Sequence, residues 1–201
     1  MHLLPLMFGI LLLPEASTLR CYECIPGASG TCTQTIKECP QGQQCTAKRV
    51  VTYTGGSKDD DENTKECAMA EECGEYSINY GFYQIIINNK CCTSELCNTQ
   101  PAPEPSKSTP NGKQCYYCDE RTCTNTVNCD GIEDYCFSVT DPNPQAGQSG
   151  TMKGCVSNQS CTAEDQSWTC CEGNFCNAAS SFSASLVLLA APLLSLLVIS
   201  Y

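Results

Sequence analysis

An all-β fold built as two tandem, disulfide-stapled modules is predicted by three observations. Cysteine supplies 20 of the 201 residues, about a tenth, which is the level of a disulfide scaffold. The cysteine spacing runs through the chain twice. Between the cysteines, β-branched and aromatic residues favour strands, and no helix-period stretch of useful length appears.

The first half reads Cys21-x2-Cys24-x7-Cys32-x6-Cys39-x5-Cys45-x21-Cys67-x5-Cys73-x17-Cys91-Cys92-x4-Cys97-Asn98. The second reads Cys115-x2-Cys118-x4-Cys123-x5-Cys129-x6-Cys136-x18-Cys155-x5-Cys161-x8-Cys170-Cys171-x4-Cys176-Asn177. Each half has ten cysteines, opens with Cys-Tyr-x-Cys and closes with Cys-Cys-x4-Cys-Asn. Shared count, order and end signatures mark an internal repeat.

That many thiols stay paired only in an oxidising compartment, so the chain is read as secretory or extracellular. The apolar run Leu3–Leu13 has the length of a signal-peptide core and is too short to span a bilayer. Ala16 and Thr18 then stand at −3 and −1 of a cut before Leu19. Residues 1–18 are therefore read as a leader, although its start carries no Lys or Arg.

The C-terminal end is apolar again from Leu186 to Ile199, with no Lys or Arg after it and Pro192 inside it. Small residues from Asn177 to Ser181 and a short polar spacer precede it. This order is that of a GPI-attachment signal. Asn177 is the expected attachment residue, with Ala178 and Ser180 next, and residues 178–201 form the removed propeptide.

Removing both ends leaves no histidine, because His2 is the sole one. A nucleophile activated by imidazole is thereby excluded, as is a zinc site with His ligands. No catalytic, cofactor-binding or metal-binding residue is expected. The net charge of −11 argues against nucleic acid and against a polybasic membrane contact. From Cys115 onward the only basic residues are Arg121 and Lys153, against nine acidic ones.

The modules are residues 19–98 and 114–177. Residues 99–113, TQPAPEPSKSTPNGK, contain four Pro and no bulky apolar side chain, so an extended, solvated linker is expected there. Each module is below about 80 residues, a size at which an apolar core alone is marginal. Five disulfides per module offset this, each contributing ~2–4 kcal/mol, though not additively.

Element by element, strands are expected over Thr46–Tyr53, and over Tyr76 to Phe82 continuing into Ile85–Ile87. Shorter strands are expected at Phe137–Thr140 and Met152–Val156. Loops are expected at Gly55–Lys58 with the acids after it, and from Asp141 to Gly150.

The Cys-Tyr-x-Cys opening, the ten cysteines and the Cys-Cys-x4-Cys-Asn closing resemble the lymphocyte-antigen-six/urokinase-receptor (LU) domain, the three-finger fold. The resemblance covers the mature chain twice. It implies the pairs Cys21–Cys45, Cys24–Cys32, Cys39–Cys67, Cys73–Cys91 and Cys92–Cys97. In the second domain it implies Cys115–Cys136, Cys118–Cys123, Cys129–Cys155, Cys161–Cys170 and Cys171–Cys176. The fingers would be Cys24–Cys39, Cys45–Cys67, Cys73–Cys91 and their second-domain counterparts. Asn98 and Asn177 would hydrogen-bond near the disulfide knots.

Two such domains with a GPI signal are similar to urokinase-receptor-like surface proteins, so a GPI-anchored receptor, co-receptor or modulator of an extracellular protein is expected. Its place is the outer face of the plasma membrane, with a shed or secreted form compatible. The alternative is a secreted inhibitor resembling the two-domain phospholipase inhibitors. Family toxins typically present a cation at the second fingertip, whereas this chain carries Asp59-Asp60-Asp61-Glu62. That run lacks the order of a calcium loop and reads first as a solvated tip.

The third finger of the first domain is the expected protein-binding element, through Tyr76, Tyr80 and Phe82, with about half of the finger consumed by the core. Trp168 is expected to pack on the knot. Asn158-Gln159-Ser160 is the usable glycosylation sequon.

Overall fold

The computed structural model describes residues 18–27, 30–105, 109–119, 121–140, 150–161 and 168–178. The expected leader, the tail from residue 179 and the loop at residues 141–149 lie outside the described residues. The strands are β1 (Arg20–Glu23), β2 (Thr35–Glu38), β3 (Gln44–Thr54), β4 (Ser57–Ala68), β5 (Gly74–Asn79), β6 (Tyr83–Cys92), β7 (Pro110–Tyr117), β8 (Asn125–Asp130), β9 (Tyr135–Thr140), β10 (Thr151–Val156) and β11 (Trp168–Cys171). A one-turn helix, α1, covers Asn158–Cys161, and a 3-10 turn covers Ala70–Glu72.

The chain forms two compact units. One gathers the described residues up to Lys48 with Asn63–Cys73 and Asn89–Ala102. Its core is sulfur rather than aliphatic: Cys21, Cys39 and Cys45 are at most 1% exposed, with Leu19, Cys67, Cys92 and Cys97 packed around them. β1 pairs antiparallel with β2, Tyr22 opposite Ile36, and Cys24 bridges to Lys65.

The other unit gathers Arg49–Glu62, Gly74–Asn88 and the described residues from Pro103 onward. It joins the outer parts of the first repeat's second and third fingers to the second repeat. The strands run in the order β11-β9-β10-β5-β6-β3-β4. The junction is β10 against β5, with Cys155 opposite Asn79 and Val156 opposite Ile78. Two cores lie here. One is the sulfur cluster Cys115, Cys129, Cys136 and Cys155. The other is Phe137, Val139 and Val156, covered by Ile78 and Tyr80 from the first repeat and by Trp168.

Four local expectations change. The second-finger turn takes only Gly55 and Gly56, at φ 57° and 80°. Positive φ at both central residues closes a two-residue hairpin, so Ser57, Lys58 and the acids after them lie in β4 rather than in a loop. The expected strand from Tyr76 to Phe82 ends at Asn79, and Gly81 at φ 87° turns the chain back into β6.

The segment read as a solvated linker is also partly packed. Ala102 and Pro105 are buried, and Pro110–Lys113 already belongs to β7. Asn88 Nδ2 donates to the Pro103 carbonyl at 3.2 Å. Packing against neighbouring strands here outweighs the low apolar content of the segment. Trp168, finally, packs away from the sulfur knot. It stacks on Phe137, ring centroids 4.7 Å apart, because β11 pairs with β9 and sets Trp168 opposite Val139.

Candidate binding surface

The scaffold is covalent throughout. The first repeat carries Cys21–Cys45, Cys24–Cys32, Cys39–Cys67, Cys73–Cys91 and Cys92–Cys97. The second carries Cys115–Cys136, Cys118–Cys123, Cys129–Cys155, Cys161–Cys170 and Cys171–Cys176. The sulfurs of Cys21, Cys39 and Cys67 crowd within 4.8 Å, as do those of Cys115, Cys129 and Cys155. Each of these sulfurs is committed to a disulfide.

One asparagine closes each repeat in the same way. Asn98 Oδ1 accepts from the Tyr22 amide at 2.9 Å, and its Nδ2 donates to the carbonyls of Tyr22 and Thr46. Asn177 does the same with Tyr116 and with the carbonyl of Phe137. Asn177 is 4% exposed, and its own carbonyl accepts from the buried Lys153 Nζ at 2.6 Å. Burial lowers the pKa of that lysine.

The third finger of the first repeat divides its aromatic residues. Tyr76 is half-buried. Tyr80 meets the Phe137 ring edge-on at 5.3 Å, and burial raises its phenol pKa. Phe82 points outward at 65% exposure, beside Tyr83 at 37%. The Phe82 ring lies over Gly55, where an added Cβ would stand 3.3 Å from it, and the Gly55 amide donates to the Phe82 carbonyl at 2.8 Å. The two fingertips thus present one surface, with Phe82 as its most exposed aromatic and Tyr83 beside it.

The acidic run is not uniform. Asp61 accepts a two-pronged contact from Arg49 at 2.7 and 2.6 Å and a second cation, Lys58. Arg49 and Lys58 also reach Glu104. Hydrogen bonds from Arg49 and then Lys58 hold the Asp61 carboxyl down at about 2, against the opposing effect of burial. Asp59, Asp60 and Glu62 remain exposed.

Sequence reasoning missed the polar face of the same finger. Glu133 is fully buried. Its carboxylate accepts from Ser77 Oγ at 2.6 Å, Gln84 Nε2 at 2.7 Å, the Asp130 amide at 2.8 Å and Asn79 Nδ2 at 3.2 Å. Ser77 and Asn79 alternate with the apolar residues of β5, so the pattern alone assigns them to solvent. Their partner lies more than fifty residues away, and no local signal points to it. Asn158 is exposed at the start of α1.

A family model described as the u-PAR/Ly-6 domain matches residues 17–100. The urokinase plasminogen activator surface receptor of Rattus norvegicus is 26% identical over 202 residues, covering 83% of this chain and 60% of that protein. A phospholipase A2 inhibitor gamma subunit from Elaphe climacophora is 35% identical over 107 residues, covering 48% of this chain and 54% of that protein. The solved structure of mouse TEX101 aligns at 16% identity over 79% of this chain and 97% of that chain, with a TM-score of 0.30. The chain thus spans less than two thirds of the length of the two curated relatives. The repeated cysteine frame and the mostly β architecture agree with these matches: residues 17–100 match the u-PAR/Ly-6 domain, and the chain is similar to proteins that carry it.

Proposed function

We propose that this chain is an extracellular binding protein, held by a GPI anchor on the outer face of the plasma membrane, that engages a protein ligand through its fingertips. The observation that carries this reading is Phe82. A disulfide scaffold that half-buries Tyr80 against Phe137 leaves the nearby Phe82 65% exposed at a tip. Large exposed aromatics of this kind anchor protein interfaces. No catalytic role is assigned to any residue.

The test is a binding screen against extracellular proteins with the full chain displayed by mammalian cells. Phe82→Ser is the variant of choice, because Tyr80 is tied into the core and its loss would disturb packing. A folded Phe82→Ser protein that keeps all binding would sink the fingertip role. Release of the protein by phosphatidylinositol-specific phospholipase tests the anchor.

A second reading, a secreted inhibitor, is favoured by the 35% identity over 107 residues to the phospholipase A2 inhibitor gamma subunit of Elaphe climacophora. It gains if the protein accumulates in the medium without phospholipase treatment and slows a secreted phospholipase A2.

A further inference from the structure

The exposed ring of Phe82 is a platform seated on backbone. It rests on Gly55, so no side chain rises between the ring and the glycine turn of the second finger. Tyr83 borders it, also exposed. Next along β4 come Ser57, Lys58, Asp59 and Asp60, all exposed.

The charges around this platform are unbalanced. The cations within the two fingertips, Arg49 and Lys58, are both engaged by Asp61 and Glu104. Asp59 accepts only a hydroxyl, from Thr54 at 3.2 Å. Among the described residues, Asp59, Asp60 and Glu62 enter no ion pair. An apolar contact point therefore stands at the tip of a hairpin whose second strand carries three carboxylates outside any ion pair among the described residues, on a chain of net charge −11.

We propose that this tip docks an extended, cationic segment of an extracellular protein, with an apolar side chain of that segment lying on Phe82. This deepens the binding reading above and rests on it. The spacing is set by strand geometry. At about 3.3 Å per residue, Asp59 to Glu62 lie roughly 13–23 Å along β4 from Gly55. An extended partner matches them with Lys or Arg about four to seven positions from its apolar anchor. Exposed ion pairs add little affinity each, so the three acids together contribute about as much to the strength of binding as the ring does, and they set its rate and salt dependence.

The probe is a fluorescent peptide with one leucine, a Gly-Ser-Gly spacer and Lys-Arg-Lys-Arg, made in both chain directions. It is titrated onto the full chain matured by mammalian cells and displayed or captured from them. Wild type should bind it at least tenfold more tightly than a control peptide with glycine in place of leucine. Phe82→Ser should erase that difference and leave the salt dependence intact. The triple variant Asp59→Asn, Asp60→Asn, Glu62→Gln should weaken binding about tenfold and flatten its salt dependence. Unchanged mobility on a non-reducing gel and unchanged circular dichroism identify variants that fold.

No preference of wild type for the leucine peptide would overturn the proposal. Equal binding by wild type and the triple variant would do the same. Should the binding screen yield a partner that needs Phe82 but not the three acids, the cationic segment is wrong while the binding function stands.

Discussion

Gln84 Nε2 donates to Glu133 Oε1 at 2.7 Å, and through that bond the third finger of the first repeat grips a buried carboxylate of the second. Ser77 and Asn79 complete the grip from the same finger. Buried carboxylates are costly unless hydrogen-bonded, and here no salt bridge is formed by Glu133 among the described residues. Burial raises its pKa, and the bonds from Ser77, Asp130, Gln84 and Asn79 offset that only in part. Burial raises Asp130 as well, against a bond from Gln84.

A carboxyl whose folded pKa exceeds its unfolded value of about 4.3 holds its proton more tightly when folded. Its stabilising contribution is complete below that value and is lost as pH rises through the raised folded pKa. The melting temperature should therefore fall from about pH 4 toward neutrality. Glu133→Gln should reduce that slope. Glu133→Ala, which strands buried donors, should cost at least ~2 kcal/mol. Calorimetry across pH checks all three.

Asp61 works in the opposite direction and in a separate window. Its carboxyl is held at about 2, chiefly by Arg49 and then Lys58. Its contribution is present above the unfolded value of about 3.9 and is lost as pH falls toward 2. Asp61→Asn should cost roughly 1 kcal/mol at neutral pH after allowance for solvent screening. The difference from wild type should shrink in molar salt and near pH 2, as read by denaturant melts.

Gly154 admits no side chain. A Cβ there would stand 1.9 Å from the Asn79 carbonyl oxygen and 2.9 Å from the Phe137 ring. The obstacle is backbone, so Gly154→Ala should pry β10 from β5. Hydrogen exchange at residues 78–79 and 155–156 should quicken strongly, while protection in β1 and β2 stays unchanged.

Asn98 and Asn177 each make three side-chain hydrogen bonds within their own repeat. Asn98→Ala and Asn177→Ala should each destabilise by ~2–3 kcal/mol, from the loss of several buried partners. Thermal melts of the two variants check this.

Asn158 is exposed at the start of α1. Asn158→Gln should abolish a mass shift produced by enzymatic deglycosylation of the secreted or displayed protein, read on a gel.

Much of this architecture is legible from residue order. The repeat of ten cysteines and its two end signatures lead to the three-finger family, and the β-branched and aromatic stretches lead to strands. The acids after Gly56 read as loop in the sequence because a two-residue turn needs so little chain. Tyr80 and Phe82 look equivalent at period two. They part ways because Gly81 turns the chain between them, so that Tyr80 packs half-buried against Phe137 while Phe82 is exposed.

By itself, then, the sequence determined the oxidised, cysteine-paired character of the protein, its tandem repeat and its strand-rich composition. These follow from counts, spacings and local periodicity, which are properties of neighbours along the chain. Only the tertiary structure decided that Ser77, Asn79 and Gln84 face Glu133, that Phe82 lies on Gly55, and that Gly154 must be bare. Each of those depends on a contact between residues some 27 to 75 positions apart, and burial at such contacts is set by what arrives from elsewhere in the chain, not by the local pattern.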